Sequence, residues 1–488
     1  MAQPWEIENF LAIQNNQLHI DGVSAVDLAR DYGTPLFVYS ESRIRHNIER
    51  LRKSSSVIDC PLKLCYAAKA MSTMGILRAI KDANCDLEVN SGGELWKALR
   101  AGFTGDQINF NGNSKEVWEL ELAIENGIYA IQVDSLYELS LIEETAKRLG
   151  KSANVSLRLV PEIKTGTHSG LQTALHTSKF GMMPEEAFEA FRSYKDSPHL
   201  DLCGIHLHIG SQNPEPEAYT DAFQMLFESM TRIYDETGIR LKHINLGGGF
   251  PVNYLHDATH DADFPAEQRE MFAADFEPSD AIGDAWNHVK SMADDLGSSH
   301  LLDGLTLLLE PGRSIIADTA ICLSSVRNKK LRPIANGQGT IDNGQSIPDS
   351  ELSNVDSPLS ADTWLLTDAG FNILLSMETY KWYYHLISAE RAGKDHSTPY
   401  KLAGPLCDGG DVYFDHEGHS RLPEHRLLPE NVQPGEVLAL LNCGAYTLAQ
   451  ASQYNGRFLP PVVLIRENGN AELIRRRESF EDLIGSDL

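Results

Sequence analysis

The sequence lacks any long hydrophobic run. Among its 488 residues, no apolar stretch approaches the roughly 18 residues that would indicate a membrane-spanning helix. Positive charge is also scarce, because 42 lysines and arginines face 69 aspartates and glutamates and the formal net charge is −27. Such a chain would be repelled by phosphates, which argues against nucleic acids and anionic membrane surfaces as partners. The negative charge is explained by solubility, with a cationic small-molecule ligand as the alternative.

Cysteines are few and show no pairing pattern. There are seven of them, an odd number, and no two stand in a CxxC pair. The first residues, MAQPWEIENF, lack the basic and then apolar segment of a secretion signal. These absences predict a cytoplasmic protein in a reducing compartment, and the sequence offers no metal-ligand cluster of recognisable spacing.

Eight short apolar segments recur between residues 62 and 313. They are LKLCYAAKA, CDLEVNS, INFNGNS, YAIQVDS, VSLRLVP, CGIHLHIGS, HINLGGGF and LTLLLEPGR. The stretches between most of them have apolar residues at intervals of three and four, which is typical of helices. Eight strand–helix repeats predict the α/β class and a parallel (β/α)8 TIM barrel.

After Arg313 the pattern changes to strand-like segments with few helices between them. This change predicts a second, mainly antiparallel β domain. The strands that precede the barrel are candidates for pairing with that domain. We therefore predict N-terminal strands in residues 1–40, a barrel in residues 41–313 and a β domain in residues 314–488.

Two segments look like surface insertions in this arrangement. Residues 256–282 are acidic with scattered histidines, and residues 336–362 contain few large apolar side chains. The composition of the second segment predicts a flexible loop.

Polar or glycine residues, including Ser91 and Ser135, follow nearly every predicted barrel strand. Chemistry in such barrels comes from the carboxyl ends of the strands, so these residues are candidates for one site. Lys69 ends the first strand, where a lysine is costly unless its amine has a partner or its side chain extends to solvent. The glycines of LGGGF, residues 246–250, leave three N–H groups unobstructed for an anion, or serve only a tight turn.

The other strand ends suggest a cofactor. Ser211 and Arg313, together with the glycine run, offer a hydroxyl, a guanidinium and N–H groups to a phosphate monoester. Glu310 either forms an ion pair with Arg158 or Arg313 or meets a protonated ring nitrogen. His208 could lie flat against such a ring, or be a hydrogen-bonded core residue. A lysine, a phosphate site, a carboxylate and a stacking ring together describe pyridoxal 5′-phosphate (PLP).

Six motifs resemble, in order, those of the fold-type III PLP-dependent decarboxylases, the ornithine/diaminopimelate decarboxylase family. They are YAAKA, HLHIGSQ, NLGGGFP, EPGRS, GPLCDGGD and NCGAY, within roughly residues 30–475. The resemblance is stronger to diaminopimelate decarboxylases than to ornithine decarboxylases. It implies the two-domain architecture of alanine racemase, PLP as cofactor, and a homodimer with active sites at its interface.

The resemblance also implies roles for individual residues. Lys69 would hold PLP covalently, His208 would stack on its ring, and Glu310 would pair with the ring nitrogen. Cys407 and Asp408 would enter the barrel mouth of the partner, the cysteine to protonate the product and the aspartate to meet the distal amine of the substrate. Without the motif, Cys407 would be read as an inert buried thiol. The further cofactor-binding candidates are Glu88, Arg158, Ser211, Gly248, Gly249, Gly312, Arg313 and Tyr446, and the further substrate-binding candidates are Ser376, Tyr380 and Tyr446.

The sequence departs from diaminopimelate decarboxylases where they bind the distal carboxylate of the substrate. Those enzymes use an arginine followed by proline, and the matching positions here are Ser376 and Met377. A serine cannot form the two parallel charge-assisted bonds of an arginine. We therefore expect a diamino acid such as lysine, ornithine, or a D- or conjugated analogue as substrate. Diaminopimelate is the alternative if Lys381 or Arg391 replaces the arginine. Glu88 also stands where the family usually has an aspartate.

Two other classes share part of this pattern. A PLP-dependent amino-acid racemase is expected to place arginine, not a carboxylate such as Glu310, at the ring nitrogen. A non-catalytic PLP-binding protein would lack the CDGGD domain or the lysine at position 69. The sequence therefore favours a decarboxylase.

Overall fold

Short elements precede the barrel. The computed structural model describes residues 3–160, 179–256, 265–333 and 361–488. The first elements are β1 (Leu11–Gln14), β2 (Gln17–Ile20), β3 (Val23–Ser24), α1 (Ala25–Tyr32) and β4 (Leu36–Ser40). The strands β1, β2 and β3 form a small antiparallel sheet of their own, whereas β4 pairs with strands from the far end of the chain.

Eight parallel strands then close into a barrel, with helices between them. The elements are α2 (Glu41–Arg52), β5 (Leu62–Ala67), α3 (Met74–Asp82), β6 (Asp86–Val89), α4 (Gly92–Ala101), β7 (Ile108–Phe110), α5 (Val117–Glu125), β8 (Ala130–Val133), α6 (Leu136–Leu149), β9 (Ala153–Arg158), α7 (Pro184–Tyr194), β10 (Leu200–His206), α8 (Glu217–Thr237), β11 (His243–Asn245), α9 (Ala266–Ala273), α10 (Pro278–Asp295) and β12 (Thr306–Leu309). Pairing of β12 with β5 closes the barrel. The predicted barrel is thereby confirmed. Most residues of its strands are buried because both faces are covered, and polar ones such as Glu88, Asn109 and Asn245 are among them.

Two of the polar residues at the strand ends are helix caps. The side chain of Ser91 accepts a hydrogen bond from the N–H of Glu94, and that of Ser135 accepts one from the N–H of Glu138. These bonds satisfy N–H groups that the first turns of α4 and α6 leave without a partner in the helix. The polar residues at these two strand ends therefore serve to begin helices.

The predicted antiparallel β domain is also confirmed. Its elements are α11 (Arg313–Ile316), β13 (Ala320–Pro333), β14 (Ala361–Thr367), α12 (Leu375–Thr379), β15 (Leu386–Ser388), β16 (Thr398–Ala403), β17 (Arg426–Leu428), β18 (Val437–Leu440), β19 (Val462–Ile465), β20 (Ala471–Arg475) and α13 (Phe480–Leu483). The strand order is β17-β16-β14-β13-β4-β19-β20, and β18 pairs with β13 and β15. Most pairs are antiparallel, the exceptions being β14 with β16 and β4 with β19.

The N-terminal strands take two different places. Strand β4 lies inside the large sheet, between β13 and β19. The sheet of β1 to β3 is separate, but Leu18 and Ile20 share a buried apolar cluster with Ile321 and Val463 of the β domain. The division at residues 40 and 313 stays a prediction, and β4 shows that the domains are not contiguous in sequence.

The segment 256–282 is not a surface insertion where the structure describes it. Met271 and Phe272 of α9 are buried, and the Gln212 side chain donates a hydrogen bond to the Met271 carbonyl at 2.9 Å. The Phe272 ring packs edge-on against Trp382, with ring centroids 5.2 Å apart. The prediction was wrong because the acidic composition concealed a few apolar residues that pack inward.

Parts of both predicted insertions lie outside the described residues. In the segment 256–282 these are residues 257–264, and in the segment 336–362 they are residues 336–360. The last two residues of the second segment begin β14.

Gly444 lies where the β domain meets the end of the barrel. Its N–H donates to the Ala317 carbonyl at 2.9 Å, and its carbonyl accepts a hydrogen bond from the Tyr39 hydroxyl at 2.9 Å. A Cβ at this position would lie 1.8 Å from the Ile316 carbonyl oxygen, so the backbones can approach this closely only at a glycine.

We therefore predict that Gly444→Ala lowers the free energy of unfolding by about 3 kcal/mol, because backbone atoms must move to admit the methyl group. Gly93→Ala is the matched control. Gly93 lies in α4, a Cβ there would be 3.7 Å from the Ser91 Oγ, and alanine is expected to be neutral or to stabilise by up to about 1 kcal/mol. Denaturant unfolding measures both changes, and equal stabilities for the two variants would contradict this account.

Candidate active site

A cavity of about 340 Å³ lies at the carboxyl ends of the barrel strands. All fifteen predicted site residues are in the described part of the chain, and twelve of them line this cavity. They are Lys69, Glu88, Arg158, His208, Ser211, Gly249, Glu310, Gly312, Arg313, Ser376, Tyr380 and Tyr446. The other three, Gly248, Cys407 and Asp408, do not line it.

Lys69 stands in the short turn that follows β5. The turn is fixed from the β domain, because the Tyr446 N–H donates to the Ala70 carbonyl at 3.0 Å. The Lys69 side chain is exposed to the cavity, while protein surrounds its ammonium group. Burial lowers the pKa of Lys69, but Glu88, Tyr446 and Glu310 together outweigh it, so the net shift is upward. The Lys69 side chain therefore faces the cavity that the other predicted site residues line.

Glu310 follows β12 and is held by asparagine side chains. The Asn245 Nδ2 donates to its Oε1 at 2.8 Å, and the Asn111 Nδ2 donates to its Oε2 at 3.0 Å. The Asn109 Nδ2 also donates to Oε1, and the His206 Nε2 lies 3.5 Å from Oε2. Strands that are distant in sequence thus place three amide donors around one carboxylate.

The charge on Glu310 is opposed and supported by different neighbours. Burial raises the pKa of Glu310 and the nearby Glu88 carboxylate raises it further, while the three asparagine donors lower it. Within the described residues neither Arg158 nor Arg313 forms an ion pair with Glu310, so that alternative is not what the structure contains. The Arg158 guanidinium instead lies 4.4 Å from the centroid of the Phe180 ring.

His208 is oriented by the glycine run. The Gly248 N–H donates to the His208 Nδ1 at 3.2 Å, which leaves Nε2 to carry the proton of the neutral ring. Burial holds the pKa of His208 well below its usual value, and the charges of Lys69 and Arg158 lower it further. A neutral, fixed ring in the cavity suits stacking better than a charged one.

The glycine run differs from the expectation that its three N–H groups face one anion. The Gly247 N–H donates to the Asn245 Oδ1 at 2.8 Å, and the Gly248 N–H is bonded to His208. Gly249 is the member of the run that lines the cavity. Its φ is +100°, and a Cβ there would lie 2.6 Å from the Gly210 carbonyl oxygen, so only glycine fits.

Arg313 brings a guanidinium to the same side of the cavity. Its Nε donates to the Ser211 Oγ at 3.1 Å and its Nη1 to the Tyr254 hydroxyl at 3.1 Å. The guanidinium also lies over the rings of Trp382, at 4.2 Å, and Tyr446, at 4.9 Å. The hydroxyl, the guanidinium and the Gly249 backbone together form a set that suits a phosphate group.

The substrate side of the cavity contains a serine that faces the backbone. The Ser376 Oγ lies 3.1 Å from the Tyr446 carbonyl oxygen and 3.3 Å from the Gln450 Oε1. Both partners accept hydrogen bonds, so the hydroxyl is occupied as a donor. Ser376 therefore offers a substrate carboxylate neither a positive charge nor an available hydrogen-bond donor.

The two residues considered as replacements for an arginine at this position are paired elsewhere. Lys381 is buried and its Nζ lies 2.9 Å from a Glu378 carboxylate oxygen. Arg391 pairs with Glu436 at 2.6 Å. Neither residue lines the cavity.

Cys407 and Asp408 lie on the surface of their own chain. The Cys407 N–H donates to the Asn455 Oδ1 at 2.6 Å, and the Tyr454 hydroxyl lies 3.3 Å from the Asp408 Oδ2. Cys407 is exposed, unlike the other six cysteines, which are all buried and free. The alternative of an inert buried thiol is therefore wrong.

Sequence reasoning missed several residues at this site. The cavity is also lined by Asn90, Asn111, Phe180, His206, Trp382 and Gln450, and Asn109 and Asn245 reach Glu310 from below. One signal was available, because Asn109 and Asn111 stand two apart in INFNG. Alternate residues of a strand face the same side, so two polar residues at this spacing in a buried strand point to a polar interior.

The polar groups of the cavity fit PLP. Several buried atoms have no hydrogen-bond partner among the described residues, namely the Glu88 Oε2, the Asn111 Oδ1, the Ser314 Oγ and both ring nitrogens of His206. Buried polar atoms are normally paired, so this group of atoms indicates a polar ligand. A lysine amine, a carboxylate and a phosphate-binding set stand around the same space.

Comparison with known proteins identifies the family. The pyridoxal-binding domain of the pyridoxal-dependent decarboxylases matches residues 41–317. The chain belongs to this family. Diaminopimelate decarboxylase of Bacillus subtilis is 31% identical over 97% of this chain and 96% of that protein, and the enzyme of Methanothermobacter thermautotrophicus is 33% identical over 96% and 94%. The crystal structure of diaminopimelate decarboxylase from Methanocaldococcus jannaschii is similar with a TM-score of 0.80, 30% identity and 98% coverage of both chains.

These findings confirm the predicted class of activity. The protein is a PLP-dependent carboxy-lyase that acts on amino acids. The racemase and the non-catalytic PLP-binding protein are not favoured, since the matching family and the relatives are decarboxylases.

We predict that Arg313→Lys weakens PLP binding about tenfold, or about 1.4 kcal/mol, because lysine loses the planar fork that contacts Ser211 and the stack on Trp382. Arg327→Lys is the control, since Arg327 is exposed and pairs with Asp368 away from the cavity. Titration of the apoproteins with PLP measures the change. Equal affinities for the two variants would show that Arg313 does not hold the phosphate.

Proposed function

We propose that the protein decarboxylates a diamino acid whose distal end carries an amine and is not bound through a carboxylate. The observation that carries this proposal is Ser376, whose hydroxyl is occupied at the position where an arginine would bind a distal carboxylate. The pairing of Lys381 with Glu378 and of Arg391 with Glu436 supports it, since neither cation lines the cavity. Lysine, ornithine and their D- or conjugated analogues are the candidates.

When bound, PLP supplies an electron sink for the electron pair released as the carboxylate leaves. Lys69 would hold the cofactor through its amine, and His208 would orient the ring by stacking. Glu310 would hold a proton on the ring nitrogen, which its asparagine donors favour by keeping the carboxylate charged. The phosphate would be bound by Ser211, Gly249, Gly312, Arg313 and Tyr446, and Glu88 and Arg158 would complete the polar lining.

We also propose a homodimer in which each subunit completes the site of the other. Cys407 of the partner subunit would return a proton to the product, and Asp408 of the partner subunit would bind the distal ammonium. Their exposure, away from the cavity of their own chain, supports this arrangement. Trp96, Trp118 and Tyr137 are exposed on α4, α5 and α6, and a second copy of the chain would cover such side chains.

The proposed location is the cytoplasm. All seven cysteines are free, as a reducing compartment would keep them. No helix in the described ranges is long and apolar enough to span a membrane.

Diaminopimelate is the second candidate substrate, because the relatives cited above carry that name. It differs from the first candidates in its distal carboxylate. A comparison of its turnover with theirs therefore tests the role of Ser376 directly.

We expect kcat/KM for a diamino acid with a single carboxylate to exceed that for diaminopimelate at least about tenfold, because one unpaired buried charge costs well over 1.4 kcal/mol. The measurement is CO2 release from both enantiomers of lysine and ornithine and from diaminopimelate. Diaminopimelate as the best substrate would show that Ser376 does not decide specificity.

We predict that Lys69→Ala abolishes the visible absorbance of the bound cofactor and nearly all CO2 release, because no other amine would hold PLP. Lys147→Ala removes an exposed lysine on α6 and should change neither. A Lys69→Ala variant that keeps both the colour and the activity would contradict the assignment.

A mixture of two inactive variants tests the shared site. Lys69→Ala and Cys407→Ala, unfolded together and refolded in equal amounts, should regain about a quarter of wild-type activity, because half of the dimers would hold one intact site out of two. Each variant refolded alone is the control. No recovery, with dimers present, would show that Cys407 serves the site of its own chain, and a Cys407→Ala variant that is active alone would show that it serves none.

A further inference from the structure

We propose that Asn111 is a positioning residue that holds Glu88 and Glu310 with a single amide group and keeps Glu310 ionised. This inference rests on the proposed pairing of Glu310 with the ring nitrogen of PLP. The motifs imply no role for Asn111 itself.

The geometry of Asn111 supports this role. Its Nδ2 donates to the Glu88 Oε1 at 2.9 Å and to the Glu310 Oε2 at 3.0 Å, so that one NH2 group serves two carboxylates. The side chain is buried and follows β7 at the edge of the cavity. Ionised carboxylates only accept hydrogen bonds, so the amide has to turn its nitrogen and not its oxygen toward them.

The two carboxylates need such a donor because both are buried. Glu88 and Glu310 are each less than a tenth exposed, and the charge of Glu88 raises the pKa of Glu310 after burial has already raised it. The other charged groups that line the cavity are Lys69, Arg158 and Arg313, and Lys69 and Arg158 favour the ionised carboxylates. Glu94, outside the cavity lining, adds a further carboxylate near Glu88. His206 faces Glu310 as well, but burial holds its pKa well below its usual value and it stays neutral.

Removal of the amide would therefore change the protonation of Glu310. Without the donor, the pKa of Glu310 rises, and the group takes up a proton at pH values where the wild-type carboxylate is charged. A neutral carboxyl attracts a protonated ring nitrogen less, so PLP binding weakens near neutral pH. Above the raised pKa the carboxylate forms again and the affinity recovers.

The test measures PLP affinity across pH and needs no turnover. Apoproteins are titrated with PLP between about pH 6 and about pH 9, with the absorbance of the bound cofactor as the signal. The variants are Asn111→Leu, which removes the donor at similar volume, Glu310→Gln, and the combination of both. Asn113→Leu is the matched control, since Asn113 lies on the same loop and outside the cavity. If Asn111→Leu does not fold, Asn111→Ser, which keeps one donor, takes its place.

Burial raises the pKa of Glu310 to about 7, so a further increase of about one unit lowers its ionised fraction at pH 7 from about a half to about a tenth. For Asn111→Leu we therefore expect the dissociation constant of PLP near pH 7 to rise about fivefold, and the difference to shrink toward pH 9. Asn111→Ser should give a smaller change in the same direction. Asn113→Leu should match the wild type at every pH. In the Glu310→Gln background, Asn111→Leu should have no further effect, because it acts through the missing carboxylate.

Each contrary outcome has a distinct meaning. If Glu310→Gln changes the pH profile and Asn111→Leu does not, the inference about Asn111 fails while the proposed role of Glu310 stands. The same is true if Asn111→Leu weakens binding equally in both backgrounds. If Glu310→Gln binds PLP like the wild type at every pH, the proposed role of Glu310 fails and the inference fails with it.

Discussion

One buried carboxylate, that of Glu310, lies at the centre of the candidate site. Glu310 is almost excluded from water, which favours its neutral form, and a second carboxylate stands nearby. The protein offsets this cost with amide donors from Asn109, Asn111 and Asn245 and with no formal cation in direct contact within the described residues. The barrel makes this possible, because parallel strands distant in sequence all end at the same face.

The β domain contributes what the barrel cannot supply. Tyr446 enters the cavity from it and ties the turn of Lys69 in place, and Ser376 forms part of the substrate side. Strand β4, at the start of the chain, lies between β13 and β19 of that domain. The two folding units are therefore linked at several points, and the close approach of Gly444 to Ile316, which only glycine permits, is one of them.

Much of this arrangement follows from local sequence patterns. The eight strands could be predicted because each is a short apolar run. Lys69, Glu310 and Arg313 could be predicted because they are charged residues at the ends of such strands. The partners of Glu310 could not, because Asn109 acts across the barrel from β7 and Asn245 acts from the neighbouring strand β11, and both contacts depend on strand order. The Gly248 N–H, expected to meet an anion, instead orients His208. The acidic composition of residues 256–282 wrongly predicted a surface insertion, because a few apolar side chains of this segment are buried.

The central claim is that Glu310 keeps the ring nitrogen of PLP protonated. The most direct measurement is the ¹⁵N NMR shift of the ring nitrogen in protein loaded with ¹⁵N-labelled cofactor, because this shift separates protonated from neutral pyridine. We predict a protonated nitrogen at neutral pH in the wild type and a neutral one in Glu310→Gln. A neutral ring nitrogen in the wild-type protein would contradict the account.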